Sequence, residues 1–176
     1  MSSQPVIKGL AELQARLKNA AANLPQMVGA ELMDGANAIA TEAKQRAPGD
    51  QGILRNLISV VQQDTTHYSV VSGADYSAFV EFGTGEKVQI PPGLEEYAAQ
   101  FKGDFASGTY SEGSGLTAKE AIFAWCERKG IDPKLWYPIY VSIMIHGTVP
   151  QPFFFPAAEH VTPNIVANVE KVLNEI

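Results

Sequence analysis

Hydrophobic positions in the first quarter of the chain recur at steps of three, four and seven. Leu10, Leu13, Leu17, Leu24, Met27 or Val28, Leu32, Ile39 and Ala43 fall on one side of a helix predicted over residues 7–46. Alanine is frequent there and favours helix. Pro25 interrupts the pattern and predicts a kink, or a short helix followed by a long one capped near Asn23 or Leu24. The run A-P-G-D-Q-G at residues 47–52 ends it. The period then falls to two. Residues 53–63 and 67–73 read as strands, with Leu54, Asn56, Ile58 and Val60 on one face. The polar residues 64–66 between them suit a hairpin turn. Two strands alone are marginal, so a helix or further strands must cover them.

Residues 75–82 read as a short helix or a third strand. Residues 83–115 are rich in Gly, Pro, Ser and aromatics and show little periodicity beyond a helical turn at L-E-E-Y-A-A-Q-F. Loops of this length serve function or are ordered by a partner. The next run reads as a helix with a Thr117/Glu120 capping box, an apolar side of Ile122, Phe123, Trp125 and Cys126, and a stop at Gly130. L-W-Y-P-I-Y-V-S-I-M-I-H-G is read as a short buried helix in preference to a strand. In P-Q-P-F-F-F-P, an extended chain would point alternate side chains opposite ways. Phe153 and Phe155 would then cover the sheet and Phe154 a helix, or one of the three would anchor a neighbouring subunit. A C-terminal helix follows, with Ile165 or Val166, Val169, Val172 or Leu173, and Ile176 on one side. The expected fold class is α+β. Long N-terminal helices and a C-terminal helix pack on a small antiparallel sheet, as a single domain over residues 1–176 with a long loop or insertion at about 83–115.

Composition sharpens this picture in three ways. At 176 residues the chain can form one proper core. Its net charge of −6, with 13 scattered basic residues, argues against a protein that grips nucleic-acid backbones. One cysteine, Cys126, excludes an internal disulfide and is compatible with a reducing cytoplasm. No signal peptide is visible at the N-terminus, and no apolar run approaches 18 residues.

The candidate chemistry is thin. Glu81, between two aromatics, would need a partner such as Asp75 or Glu86 to act as an acid or base, and nothing in the sequence places them together. It reads better as an acid paired with a backbone or basic group. G-T-G at residues 83–85 with Lys87 lacks the spacing of a phosphate loop. Cys126 with His67 or His146 could form a nucleophile pair, but Cys126 lies beside Trp125 on an apolar helix side and reads as buried and inert. The three histidines are far apart and give no metal signature. Glu159 and His160 read as a solvated helix start. No catalytic residue, cofactor or metal is expected.

Three motifs occur in order: A-P-G-D-Q-G-I-L-R-N-L-I near residue 50, D-Y-S-A-F-V-E-F-G-T-G near 80, and H-G-T-V-P-Q-P-F-F-F-P-A-A-E near 150. Together they resemble the neck, or tail-completion, proteins of long-tailed bacteriophages and prophages, to which the minor tail protein Z group is related. Pro48, Gly52, Leu54 and Arg55 match the first motif. Tyr76, Val80, Glu81, Phe82, Gly83 and Thr84 match the second. Gly147, Thr148, Pro150, Pro152, Phe153, Pro156 and Ala157 match the third. Asn56 and Leu57 depart from a more polar pair, and Phe155 stands where a basic residue is frequent.

The resemblance implies a non-enzymatic virion protein, assembled in the host cytoplasm as a homo-oligomeric ring at the head–tail junction. Its implied partners are head connector or stopper proteins, the tail terminator and the tail tube. DNA would pass through the lumen without sequence-specific binding, and no membrane is involved. The neighbouring tail-terminator role and, further off, a small hydrolase are the alternatives. Interface residues are expected among Tyr76, Phe79, Glu81, Phe82, Gly83, Thr84, Pro152, Phe153, Phe154 and Phe155.

Overall fold

A single helix, α1 (Leu10–Arg46), organises the molecule. The computed structural model describes residues 9–49, 52–74, 76–100 and 118–174. Asp75, Thr117, Ile176 and the later part of the predicted loop lie outside the described residues. Helix α1 has 37 residues and spans about 55 Å. It runs as one helix through Pro25, so of the two expectations, a kink or a division into two helices, the division does not occur. Proline removes one helical hydrogen bond, leaving the Ala21 carbonyl without its donor. Ala21 is exposed, so water can satisfy that carbonyl. The surrounding alanines sustain the helix on both sides.

The face of α1 that meets the rest of the chain is built from small residues: Gly29, Gly35, Ala36, Ala40 and Ala43 are buried. Small side chains let other elements approach the helix backbone. The Thr65 carbonyl in the hairpin turn sits against Gly29, and Ile165 lies where a Gly35 Cβ would be, within 2.5 Å of that position.

After α1, Gly52 (φ 75°) starts a single helical turn, α2 (Ile53–Asn56), where a strand was expected. The turn buries Leu54 and leaves polar Asn56 exposed, whereas a strand would have set both on one face. Strand β1 (Ile58–Gln62) therefore begins later. It pairs antiparallel with β2 (Tyr68–Ser72) in the register Val60 to Val70. Asp64 closes the turn by accepting from the Thr66 N–H at 2.7 Å.

The segment expected as a short helix or third strand forms helix α3 (Ser77–Phe82). The L-E-E-Y-A-A-Q-F turn is α4 (Glu95–Ala99). Helices α5 (Ala118–Arg128) and α6 (Trp136–His146) form a hairpin. Cys126 is fully buried on α5, as read from its neighbours. Helix α6 is a helix as expected, but none of its residues is buried. Helix α7 (Phe154–Asn174) starts inside the triple phenylalanine, so the extended alternation expected there does not occur. It packs antiparallel along α1, with Glu42 beside His160 and Gly35 beside Ile165.

The core lies where the C-terminal half of α1, the hairpin and the start of α7 meet. It contains Ala40, Ala43, Ala47, Leu54, Ile58, Ala74, Phe153 and Ala157, ringed by Val60, Val70, Tyr76, Val80 and Phe154. The architecture is α+β, with long first and last helices and a two-stranded antiparallel sheet. Among the described residues, no helix is long and apolar enough to cross a membrane.

One polar link crosses the α1–α7 contact. His160 Nδ1 lies 2.8 Å from Glu42 Oε2, and Arg46 bonds the other oxygen of Glu42 at 2.6 Å. His160 was read as solvated; it is exposed but paired. The His160 hydrogen bond, and after it Arg46, hold the Glu42 carboxyl below its usual range. A lowered folded-state pKa stabilises above the unfolded value and is lost as pH falls through the folded one. Thermal midpoints of the wild type and Glu42→Gln should therefore differ above the usual carboxylate value of about 4.3 and converge on further acidification. A constant difference from neutral to strongly acidic pH would contradict the link.

Candidate functional site

The second and third sequence motifs meet at the start of α7. The first four N–H groups of a helix have no partner inside it. In α7 these belong to Phe153, Phe154, Phe155 and Pro156, and proline has no N–H to satisfy. Glu81 supplies the rest. Its Oε2 accepts from the Phe153 N–H at 2.8 Å and the Phe154 N–H at 2.9 Å, and its Oε1 accepts from the Phe155 N–H at 3.1 Å. One carboxylate and one proline thus account for the whole first turn. The negative charge also sits at the positive end of the helix dipole. Glu81 is only 5% exposed, and three of its roughly four acceptor positions are taken, so it holds structure and is not poised as a free base.

Beside this cap the two motifs are laced backbone to backbone. Gln151 N–H donates to the Val80 carbonyl at 2.7 Å, and Thr84 N–H donates to the Thr148 carbonyl at 3.1 Å. The two threonine hydroxyls lie 3.0 Å apart, and Thr148 N–H donates to Thr84 Oγ1 at 2.8 Å. Each threonine follows a glycine with positive φ, Gly83 at 78° and Gly147 at 73°. A Cβ on Gly147 would overlap the Thr84 carbonyl. This explains G-T-G without a phosphate: the N–H groups of Gly83 and Thr84 are spent on Phe79 and Thr148. The first motif joins the same region, since Ala47 and Leu54 share one core cluster with Phe153 and Ala157; within the motif, Arg55 Nε donates to the Ala47 carbonyl.

Of the residues singled out in the sequence, Phe79, Glu81, Phe82, Gly83, Thr84 and Phe153 are buried within the subunit. Tyr76, Phe154 and Phe155 are partly buried, and Pro152 is exposed. Tyr97 and Gln100 were not singled out in the sequence, and Thr148 was matched to the third motif without its pairing to Thr84. The signal for Thr148 was the repeated Gly-Thr pair at 83–84 and 147–148.

Phe155 leaves the first turn of α7 toward the surface. It stacks on Phe82 at 5.8 Å between ring centres and meets Tyr97 of α4 edge-on at 5.3 Å. These rings border an open groove of about 320 Å³ that runs from the β2 strand past Ser77 to α4. Ser72 lines it with a buried hydroxyl that lacks a hydrogen-bond partner. Among the described residues, no cluster of His, Cys, Asp or Glu is arranged to hold a metal. His67 is paired with Asp64 in the hairpin turn, where the Thr66 N–H and then His67 hold the Asp64 carboxyl low.

Residues 11–83 match the family model described as "Bacteriophage HK97-gp10, putative tail-component". The match covers α1, the hairpin and the V-E-F-G motif; the third motif lies beyond it. It agrees with the resemblance read from the motifs to long-tailed phage components. No curated protein and no solved structure gives a significant match.

Removing the carboxylate should leave three buried N–H groups unpaired. Glu81→Ala is expected to cost about 3–5 kcal/mol in denaturant unfolding, and Glu81→Gln about 1–3 kcal/mol, because the amide oxygen still accepts but the charge is gone. A loss below about 1 kcal/mol for Glu81→Ala would remove the cap from its central place.

Proposed function

We propose, from the match of residues 11–83 to a phage tail-component family, that this chain is a structural subunit of the head–tail junction of a tailed phage or prophage. In this reading it forms a ring that joins the head connector to the tail tube and lets DNA pass. The observation that carries the proposal is the continuity between the matched segment and the third motif. Glu81, inside the match, anchors the start of α7, outside it, so the two segments are joined by a direct physical link.

Two further features support assembly as the role. Glu81 is consumed by structure, and the groove beside Phe155 is aromatic, open and lined by an unpartnered hydroxyl. Of the expected interface residues, the buried ones position the surface, while Tyr76, Pro152, Phe154 and Phe155 are left to make contact. The net charge of −6 suits a channel that carries DNA without retaining it; a basic inner wall in the assembled ring would contradict this.

Electron microscopy of purified particles tests the assignment. Density for this chain is expected as a ring between connector and tail tube, and its location at the distal tip, or its absence from the particle, would refute the proposal. Tyr97→Asp gives a second measurement. Tyr97 is 58% exposed but meets Phe155 edge-on, so the variant should lose no more than about 1.5 kcal/mol of unfolding stability. It should nonetheless fail to incorporate into particles.

A further inference from the structure

The outer edge of β2 carries hydrogen-bonding groups that the subunit does not use. Gly73 N–H donates to the Leu57 carbonyl and Gln63 N–H to the His67 carbonyl, both at 2.9 Å. These two bonds bracket the hairpin ladder, which runs from the pair Ile58 and Ser72 to the pair Gln62 and Tyr68. Bonded and non-bonded pairs alternate along an antiparallel ladder. Counting inward from either end gives the same result. Val71 and Ser69 exchange bonds with β1, whereas Val70 and Ser72 stand in non-bonded pairs. The N–H and C=O groups of Val70 and Ser72 therefore point away from β1. Among the described residues, no strand pairs with this edge and no backbone hydrogen bond reaches these four groups.

The edge is also undefended. Exposed edges are ordinarily blunted by charge, proline, a bulge or a covering element. Strand β2 reads Y-S-V-V-S, without a charged residue or a proline, and its register is continuous. Beside it lies the open groove of about 320 Å³, and Val70, Val71 and Ser72 all line it. A groove on one face of a strand would meet alternate residues. Three in succession mean that it runs along the edge itself.

The walls of the groove define what can lie in it. Val70 packs on the core cluster that holds Phe153, and Phe153 lines the groove together with Phe82, Phe155 and Tyr97. Residues directly opposite one another in a sheet point to the same face, so a residue paired with Val70 would turn its side chain toward these rings. Glu81 also lines the groove, and no Lys, Arg or His does. Helix α4, which supplies Tyr97, begins with Glu95 and Glu96, both exposed. Two copies of this chain pairing edge to edge would set one acidic groove against another. A basic partner is the complementary one.

We infer that the groove takes an extended segment of a different protein, added to β2 as a third strand. The segment carries apolar side chains at alternate positions, turned toward the rings, and Lys or Arg at its ends. Backbone bonds to Val70 and Ser72 supply the affinity, and the rings and acids supply the selection. That the donor is another virion component rests on the head–tail junction reading; the strand addition does not.

A labelled peptide of sequence K-T-V-T-F-T-V-T-K, titrated with the full chain and followed by fluorescence polarisation, tests it. Saturable binding is expected. N-methylation at the Val and Phe positions removes the N–H groups that would face Val70 and Ser72, and should weaken binding at least about ten-fold. N-methylation at the Thr positions, whose N–H groups would face solvent, should leave it within about two-fold. A peptide with Glu in place of both Lys should bind about ten-fold more weakly, and the gap should close in about 0.5 M salt. Tyr97→Ala should weaken binding of the parent peptide while circular dichroism stays unchanged. No saturable binding up to about 1 mM would overturn the inference. Equal loss from both N-methylated peptides, or from neither, would do the same, since plain apolar adhesion ignores which N–H is blocked. Disulfide-linked Val71→Cys dimers on oxidation of the protein alone would show copies pairing edge to edge and would also overturn it. Peptide binding by a chain located away from the junction would sink the junction reading alone; a ring at the junction without peptide binding would sink this inference alone.

Discussion

The bond between Glu81 and the first turn of α7 is the constraint on which the rest of the structure depends. A helix start packed into protein must find acceptors for its free N–H groups or pay their desolvation. Here those groups belong to three successive phenylalanines whose rings are needed at the core and at its edge, so water cannot be the acceptor for all of them. A single carboxylate from another element meets the demand, and Pro156 lowers it by one. Because Glu81 stands on α3, the direction of α7 is tied to α3, and α3 is tied through Tyr76 and Ala74 to the sheet and α1. The long antiparallel contact of α1 and α7 then follows from its two ends: the cap fixes where α7 begins, and the small residues of α1 fix how closely it runs.

That closeness depends on what α1 lacks. A leucine at residue 29 or 35 would push away the hairpin turn or α7. Gly29 and Gly35 cost helix propensity, but in exchange they let a backbone carbonyl and an isoleucine lie against the helix axis. The core is correspondingly rich in alanine on the α1 side, with the large side chains, Ile58, Leu54 and Phe153, contributed by the elements that approach it.

Much of this was legible in the sequence. The helical period over α1, the hairpin and the C-terminal helix could be read directly, because each is long or regular enough for its pattern to outweigh local exceptions. The failures were at boundaries set by tertiary contact. Pro25 suggested a break, but its cost is borne in solvent. Residues 53–56 alternated like a strand, yet a strand would have put polar Asn56 on the face of buried Leu54, and the helical turn keeps it exposed. The triple phenylalanine was assigned to an extended chain because the acceptor that starts the helix there is 72 residues away. Glu81 was read as the partner of a backbone or basic group; that the partner is backbone, and which backbone, was out of reach. The apolar character of α6 was visible, but its exposure was not, since apolarity alone predicts burial.

The Thr84–Thr148 lacing has a consequence for the chain between the two threonines. The residues it brings together are 64 positions apart, and everything from Gly85 to Gly147 leaves and re-enters the frame through that one narrow gate. The closure entropy of such an excursion grows only slowly with its length. The frame of α1, hairpin, α3 and α7 is thus closed at its own contacts, and the excursion meets it again where Gln89 N–H donates to the Phe82 carbonyl and where Tyr97 lies against Phe155. It is a socket: helices α4 to α6 are cargo mounted on it, and cargo of another length or shape can be mounted at the same two threonines without redrawing the frame.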